Sequence, residues 1–203
     1  MLSEVFASTF TNLVLFVVIP SMFYVGYQKY RHKRNYSEIR ERLGLKAGDP
    51  RYLKYCALAS LVVVGTILIW PQDVEALTRE GSAWKNYSGL GFGTLSVQMA
   101  LLYGIVQTGF AEEFLFRGMI AGSLSRRLSL VWANVIQALI FLVPHLLLLS
   151  IMPEMWVSLI FIFFGSLFAG WARIKSGSIV GPWMIHASAN ITMGLSIAMR
   201  TAA

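Results

Sequence analysis

Six stretches of roughly 20 apolar residues follow one another along this chain, each long enough to cross the hydrocarbon of a bilayer. They run from about Val5 to Tyr27, Leu53 to Trp70, Phe92 to Leu124, Ser129 to Ser150, Met155 to Ile174 and Ile179 to Met199. In lipid a spanning segment must satisfy its own backbone hydrogen bonds, so these runs are expected to be helices. The predicted fold is all-α: a polytopic transmembrane bundle of about six spanning helices, one integral membrane domain over residues 1–203. Only 13% of residues are charged and mean hydropathy is +0.62, against about a quarter charged in an ordinary soluble domain. The first run has Glu4 where a secretory signal would carry basic residues and continues to full spanning length, so it is expected to stay as a helix.

The basic residues orient the bundle. Lys29, Arg31, Lys33, Arg34, Arg40, Arg42, Lys46, Arg51 and Lys54 crowd the first connection against Glu38, Glu41 and Asp49. By the positive-inside rule the 29–54 loop is cytoplasmic and both termini face outward. Arg126 and Arg127 after the third run, and Arg173 and Lys175 after the fifth, agree with this, as do Asp73, Glu75, Glu80 and Glu154 on the opposite side. The net charge of +7 is accounted for by topology and anionic headgroups, so no nucleic-acid partner is inferred. The lone Cys56 excludes an internal disulfide and reads as a small buried apolar residue. The 71–90 segment is the only sizeable outer connection, and Gly89 to Gly93 lead flexibly into the third run.

Within this apolar frame, Glu112, Glu113 and Arg117 stand in the middle of the third run. An ionisable side chain at the centre of a spanning helix costs about 2.5 to 3.5 kcal/mol on insertion scales, so its presence points to function. On an α-helix Glu113 and Arg117 share a face and can neutralise one another, whereas Glu112 points about 100 degrees away and is left without a partner. A purely structural ion pair would account for Glu113 and Arg117 but not for Glu112. In the fourth run Phe141 and His145 lie four residues apart, and Pro144 between them frees the carbonyl of Ile140 and kinks the axis. In the sixth, His186 and Asn190 repeat the spacing among small residues that permit close helix approach. Each polar residue alone could be a helix-to-helix hydrogen bond; three helices that each bring polar groups imply one shared polar site. His32, in the basic loop, reads as a surface residue.

An unpaired carboxylate beside imidazoles can act as a general base toward water, and imidazole and carboxamide N–H groups can hold an oxyanion. No Gly-x-Ser-x-Gly sequence is present, and Ser188 is one of several small residues in its helix. Water is therefore the expected nucleophile, and a peptide the plausible polymer substrate in a membrane. The rival mechanism is metal hydrolysis, with Glu112, His145 and His186 as a two-histidine, one-glutamate zinc set, although the compact His-Glu-x-x-His helix is missing.

Three motifs stand here in order: Glu-Glu-x-x-x-Arg as Glu112 to Arg117, Phe-x-x-x-His as Phe141 to His145, and His-x-x-x-Asn as His186 to Asn190. With Phe116-Arg117-Gly118 completing the first and Ser176-Gly177-Ser178-Ile179 leading into the third, the chain resembles the CPBP, or ABI, intramembrane proteases, which include the type II CAAX prenyl endopeptidases and bacteriocin-processing or self-immunity proteins. The motifs cover about Gly104 to Ile191, and the family-like core runs over about 92–199. The resemblance implies that Glu112 activates water with help from His145. It further implies that Glu113 and Arg117 support the site, that His186 and Asn190 stabilise the oxyanion, and that Phe116 and Phe141 touch substrate. It implies a glutamate-type mechanism without a cofactor, zinc being the alternative. Better-known CAAX-processing members look like eight-span proteins, so a prenylated substrate does not carry over directly. The expected partner is a membrane-embedded or membrane-anchored peptide or protein in the lipid bilayer, in a multi-pass cell membrane protein of prokaryotic type. The alternative function is a non-catalytic membrane scaffold or bacteriocin-immunity-type protein of the same fold.

Overall fold

A computed structural model describes residues 2–70 and 73–202; Pro71 and Gln72 of the outer connection lie outside the described residues. The chain is a bundle of long helices with no strand among the described residues. Helix α1 spans Leu2–His32, α2 Tyr36–Leu43, α3 Pro50–Ile69 and α4 Val74–Leu77. A rod over 94–124 is α5, followed by α6 (Leu130–Leu146), α7 (Trp156–Ser176) and α8 (Val180–Arg200).

Among the described residues, four helices are both long and apolar enough to cross a membrane: Leu2–His32, Pro50–Ile69, Leu130–Ile151 and Pro153–Ser176. The other two long rods, α5 and α8, fall short of that apolarity because they carry the polar residues of the first and third motifs. Both pack inside the bundle, α8 along α3 and α5, while α6 packs on α7. The apolar surface instead lies outside: Phe10, Phe23, Leu61, Ile69 and Phe161 are all more than half exposed, a ring of side chains suited to lipid rather than water.

Helix starts and stops follow local chemistry. Asn35 accepts from the backbone N–H of Glu38 at 2.9 Å while the Glu38 carboxylate accepts from Asn35 N at 2.8 Å, a reciprocal cap that starts α2. Gly44, at φ +73°, ends that helix. Asp49 accepts from Arg51 N at 2.9 Å ahead of Pro50, starting α3. The ends extend beyond the apolar runs: Lys29 and Arg31 fall in the last turn of α1, and Arg173 and Lys175 in the last turn of α7, not in loops after them. Basic side chains in a last turn complement the helix dipole, which is why the helices run on.

The connection over 73–90 is structured. Tyr87, Leu77 and Ala76 are buried, and Tyr87 and Leu77 join Val5, Met99, Ala100, Ile197 and Ala198 in a core that closes one end of the bundle. Gly194 lets the Tyr87 ring approach α8, since a Cβ there would sit 2.8 Å from the ring. At the opposite end Ile39 and Leu43 of α2 pack on Phe114 and Met119 of α5. The two cores hold the middle of α5 in register between the bundle ends. Cys56 is buried against Gly181, joining α3 to α8, as a small packing residue should.

Candidate active site

The first motif lies where α5 departs from α-helical winding. Over Leu102–Phe110 and Glu113–Ala121 the backbone is π-helical, and Ala111 and Glu112 form the junction between the two stretches. Such wide turns are rare and recur at functional sites. Glycine permits the first of them: a Cβ at Gly109 would lie 2.0 Å from the Gly104 carbonyl oxygen.

Glu113 and Arg117 pair as expected. Arg117 Nη1 donates to Glu113 Oε1 at 2.9 Å, with the side chains 2% and 1% exposed, so the pair is fully desolvated. Burial makes the remaining partners important. Arg117 Nη2 donates to Ser166 Oγ of α7 at 3.0 Å, and the guanidinium carbon lies 4.0 Å from the centre of the Phe141 ring. Gln137 of α6 donates to the Ser166 carbonyl at 2.9 Å and to Asn134 Oδ1 at 3.0 Å, while Asn134 donates to the Leu167 carbonyl at 2.9 Å. Gly170 makes room for these two amides.

Glu113 Oε1 also accepts from His186 Nδ1 at 2.9 Å. The other nitrogen of that ring, Nε2, faces Glu112 Oε2 at 3.9 Å. This corrects the α-helical expectation: Glu112 does not point away from its neighbour's partners, and the two carboxylates flank one imidazole. Glu112 Oε2 and Glu113 Oε2 are buried and have no hydrogen-bond partner among the described residues.

His145 Nδ1 lies 2.8 Å from the Phe141 carbonyl oxygen. A carbonyl only accepts, so Nδ1 carries the proton and Nε2 presents a lone pair. Glu112, His186 and Arg117 all lie within electrostatic reach of this ring. Phe141 organises the group from the apolar side: its ring centre is 4.6 Å from that of His145, 5.0 Å from Phe116 and 6.2 Å from His186. Phe116 and Phe141 are both buried, so they form the wall of the polar cluster. Asn190 Nδ2 donates to Thr108 Oγ1 at 2.7 Å, and the Thr108 hydroxyl donates to the Tyr103 carbonyl at 2.9 Å. Its second amide proton remains available.

A metal site needs at least three ligands gathered on one point. Among the described residues no group of three His, Cys, Asp or Glu side chains is arranged to hold an ion, and Glu112, His145 and His186 are not brought into such a set. Glu113 and His186 Nδ1 bond one another, and His145 Nδ1 is taken by Phe141.

Several members of this cluster were not singled out from sequence: Ser166, Gln137, Asn134 and Thr108. Asn134 and Gln137, three residues apart in an otherwise apolar run, carried the readable signal; a serine or threonine in a spanning run carries almost none. Helix α1 adds a further polar contact, with Thr9 Oγ1 donating to Gln107 Oε1 at 3.0 Å and Asn12 Nδ2 to the Gln107 carbonyl at 3.3 Å.

Residues 94–192 match the family described as type II CAAX prenyl endopeptidase Rce1-like, a segment that contains all three motifs. This match agrees with the resemblance of the three motifs to the CPBP, or CAAX-protease, family. No curated protein and no solved structure gives a significant match. The match supports, in general terms, a protease of the CAAX-type intramembrane class in a multi-pass membrane protein. The CPBP motifs occupy α5, α6 and α8, and α7 supplies Ser166 as the support of the motif arginine.

Proposed function

We propose that the chain is an intramembrane endopeptidase that hydrolyses a peptide bond of a membrane-associated peptide or protein with water activated by Glu112. The observation that carries this reading is the pair of carboxylates on either side of His186, Glu113 buried and committed to Arg117, Glu112 partly exposed and with its buried Oε2 lacking a hydrogen bond. A carboxylate already holding a guanidinium is a poor base; the one beside it is free to take a proton.

In the proposed reaction Glu112 removes a proton from water, and the resulting hydroxide attacks the scissile carbonyl carbon. His145, its Nε2 lone pair fixed by the Nδ1–H bond to Phe141, accepts a hydrogen bond from the same water. The tetrahedral oxyanion is held by the second amide proton of Asn190 and by Nε2–H of His186 in its imidazolium form, whose Nδ1–H Glu113 holds. Collapse breaks the C–N bond, and the proton held by Glu112 passes to the departing amine. Every polar group of the three motifs then has one task, and no step passes through a metal.

The substrate class that suits the site is a peptide anchored in or on the lipid bilayer, since the helices around the site present apolar surface to lipid. The 29–54 loop is assigned to the cytoplasmic side of a prokaryotic-type plasma membrane, on its excess of basic residues. Membrane peptidomics of cells carrying wild-type protein or Glu112→Gln tests the function. A membrane peptide that accumulates uncut only in the variant supports it; identical peptide profiles with equal protein levels would return the chain to the scaffold reading.

A further inference from the structure

The guanidiniums of Arg126 and Arg173 meet on the Arg42 carbonyl at the end of the bundle opposite the Tyr87 core, away from the motif cluster, with the Arg42 charge within electrostatic reach of Arg126. The last carbonyls of a helix have no partner within it. Here the Arg42 carbonyl, near the end of α2, accepts from Arg173 Nη2 at 2.9 Å and Arg126 Nη1 at 3.3 Å. Gly122 allows both guanidiniums close to α5, because a Cβ there would lie 3.1 Å from Arg173 and 3.5 Å from Arg126. Gly44 is closer still: a Cβ there would lie 2.6 Å from the Arg173 guanidinium.

A helix C-terminus explains one of these cations, not their number. Among the described residues no carboxylate pairs with Arg42, Arg126 or Arg173: nearby Glu41 is taken by Lys46 and Asp49 by Arg51, and Glu38 caps α2. Arg173 is only 6% exposed, and the buried Nε groups of Arg173 and Arg42 have no acceptor. Burial first, and behind it the charge of Arg42, pushes the Arg126 guanidinium below its usual range, although Tyr24 opposes the shift. A buried guanidinium beside other cations, with donors unused, calls for an anion that offers several oxygens.

We propose that Arg42, Arg126 and Arg173 form a phosphate-binding site for the headgroup of an anionic lipid. Arginine forks suit phosphate oxygens, and basic pockets between helices at the membrane surface are where such headgroups bind. Tyr24 accepts from Arg126 Nη2 at 3.1 Å and marks the polar edge of the membrane, while Met22 and Phe23, next to it on α1, are exposed to acyl chains. The bound lipid would hold α2 against α5 and α7 by neutralising the repulsion between their ends.

The test uses the full chain in neutral detergent, delipidated, with melting temperature and native mass spectrometry as readouts. Phosphatidylglycerol at increasing mole fraction should raise the melting temperature and remain bound in a one-to-one complex, whereas phosphatidylcholine should not. Arg126→Gln, an exposed position that folding tolerates, should weaken the phosphatidylglycerol response by about tenfold, the scale of one charge-assisted hydrogen bond. Arg126→Lys should weaken it less, and Lys175→Gln should leave it unchanged. Inorganic phosphate at matched ionic strength is the comparison arm; stabilisation by phosphate equal to that by the lipid would overturn the lipid assignment in favour of a free-anion site. Equal responses to both lipids, or an Arg126→Gln variant indistinguishable from wild type, would overturn the site itself.

Discussion

Glu113 accepts the Nδ1 proton of His186 at 2.9 Å, a bond that fastens α5 to α8 with the oxygen that also holds Arg117. One carboxylate oxygen thus joins the first and third motifs, and Ser166 carries the connection on to α7. Removing the guanidinium breaks this junction. Arg117→Ala should leave Glu113 as an unpaired buried charge and destabilise the fold by about 3 to 5 kcal/mol, with reduced yield of folded protein in the membrane. Denaturation of the purified variant against wild type measures it; a variant of full stability would mean that water reaches the pair.

Substitutions at the water-activating groups should behave differently. Glu112→Gln keeps shape and loses the base, and His145→Ala loses the Nε2 acceptor; each should lower cleavage by about two to four orders of magnitude. Membrane expression and melting temperature should stay near wild type, because Glu112 Oε2 makes no hydrogen bond that the fold depends on. Single-turnover cleavage assays on protein of matched folded fraction separate the two effects. A Glu112→Gln enzyme with wild-type turnover would remove this residue from the mechanism.

Ser166 acts through Arg117. Its hydroxyl accepts from Nη2 at 3.0 Å and is almost completely buried, so Ser166→Ala leaves a guanidinium N–H unsatisfied at a cost of about 1 to 3 kcal/mol. The expected outcome is lower stability and about tenfold slower turnover at unchanged KM. Ser166→Thr, which restores the hydroxyl, should recover turnover more than stability. A fall in KM alone, with turnover intact, would contradict a positioning role.

How much of this was legible depended on how far each feature is local. The helical class, the Glu113–Arg117 pair and the three motifs follow from spacing within single runs. Glu112 facing His186 does not, because the π-helical winding around Gly104 and Gly109 alters the face each residue presents, and wide turns have no spacing signature of their own. Arg126 and Arg173 read from sequence as charges in loops, yet they bind the Arg42 carbonyl across 84 and 131 residues of chain. The folded outer connection was likewise hidden, since Tyr87 is buried by partners from both ends of the sequence, Val5 and Ile197 among them.

A pH-sensitive contact joins the 71–90 connection to Glu154, at the start of the 153–176 helix. Arg79 donates to Glu154 through both terminal nitrogens, at 2.5 and 3.0 Å, and this hydrogen bonding holds the Glu154 carboxyl below its usual range. A carboxyl whose pKa is lowered by folding adds stability above its unfolded pKa, near about 4.3, and that contribution is lost as pH falls through the lower folded value. Wild type should therefore melt slightly above Glu154→Gln at pH 7, and the difference should close in strongly acidic buffer. A difference that grows on acidification would mean the contact is not ionic. Both side chains are substantially exposed, so the effect should also shrink in high salt.

Metal removal distinguishes the two hydrolytic mechanisms most sharply. A zinc mechanism asks Glu112, His145 and His186 to share one ion, but Glu112 is also the only carboxylate of the motif cluster left outside the Arg117 pair. If it ligated zinc, the base would have to be a metal-bound hydroxide, and the Glu113 bond to His186 Nδ1 would become the outer support of a ligating histidine. Protein stripped with a strong chelator and verified metal-free by elemental analysis should cleave its peptide at the untreated rate. Loss of cleavage on stripping, with recovery on adding zinc and not magnesium, would reassign Glu112, His145 and His186 from base and donors to ligands.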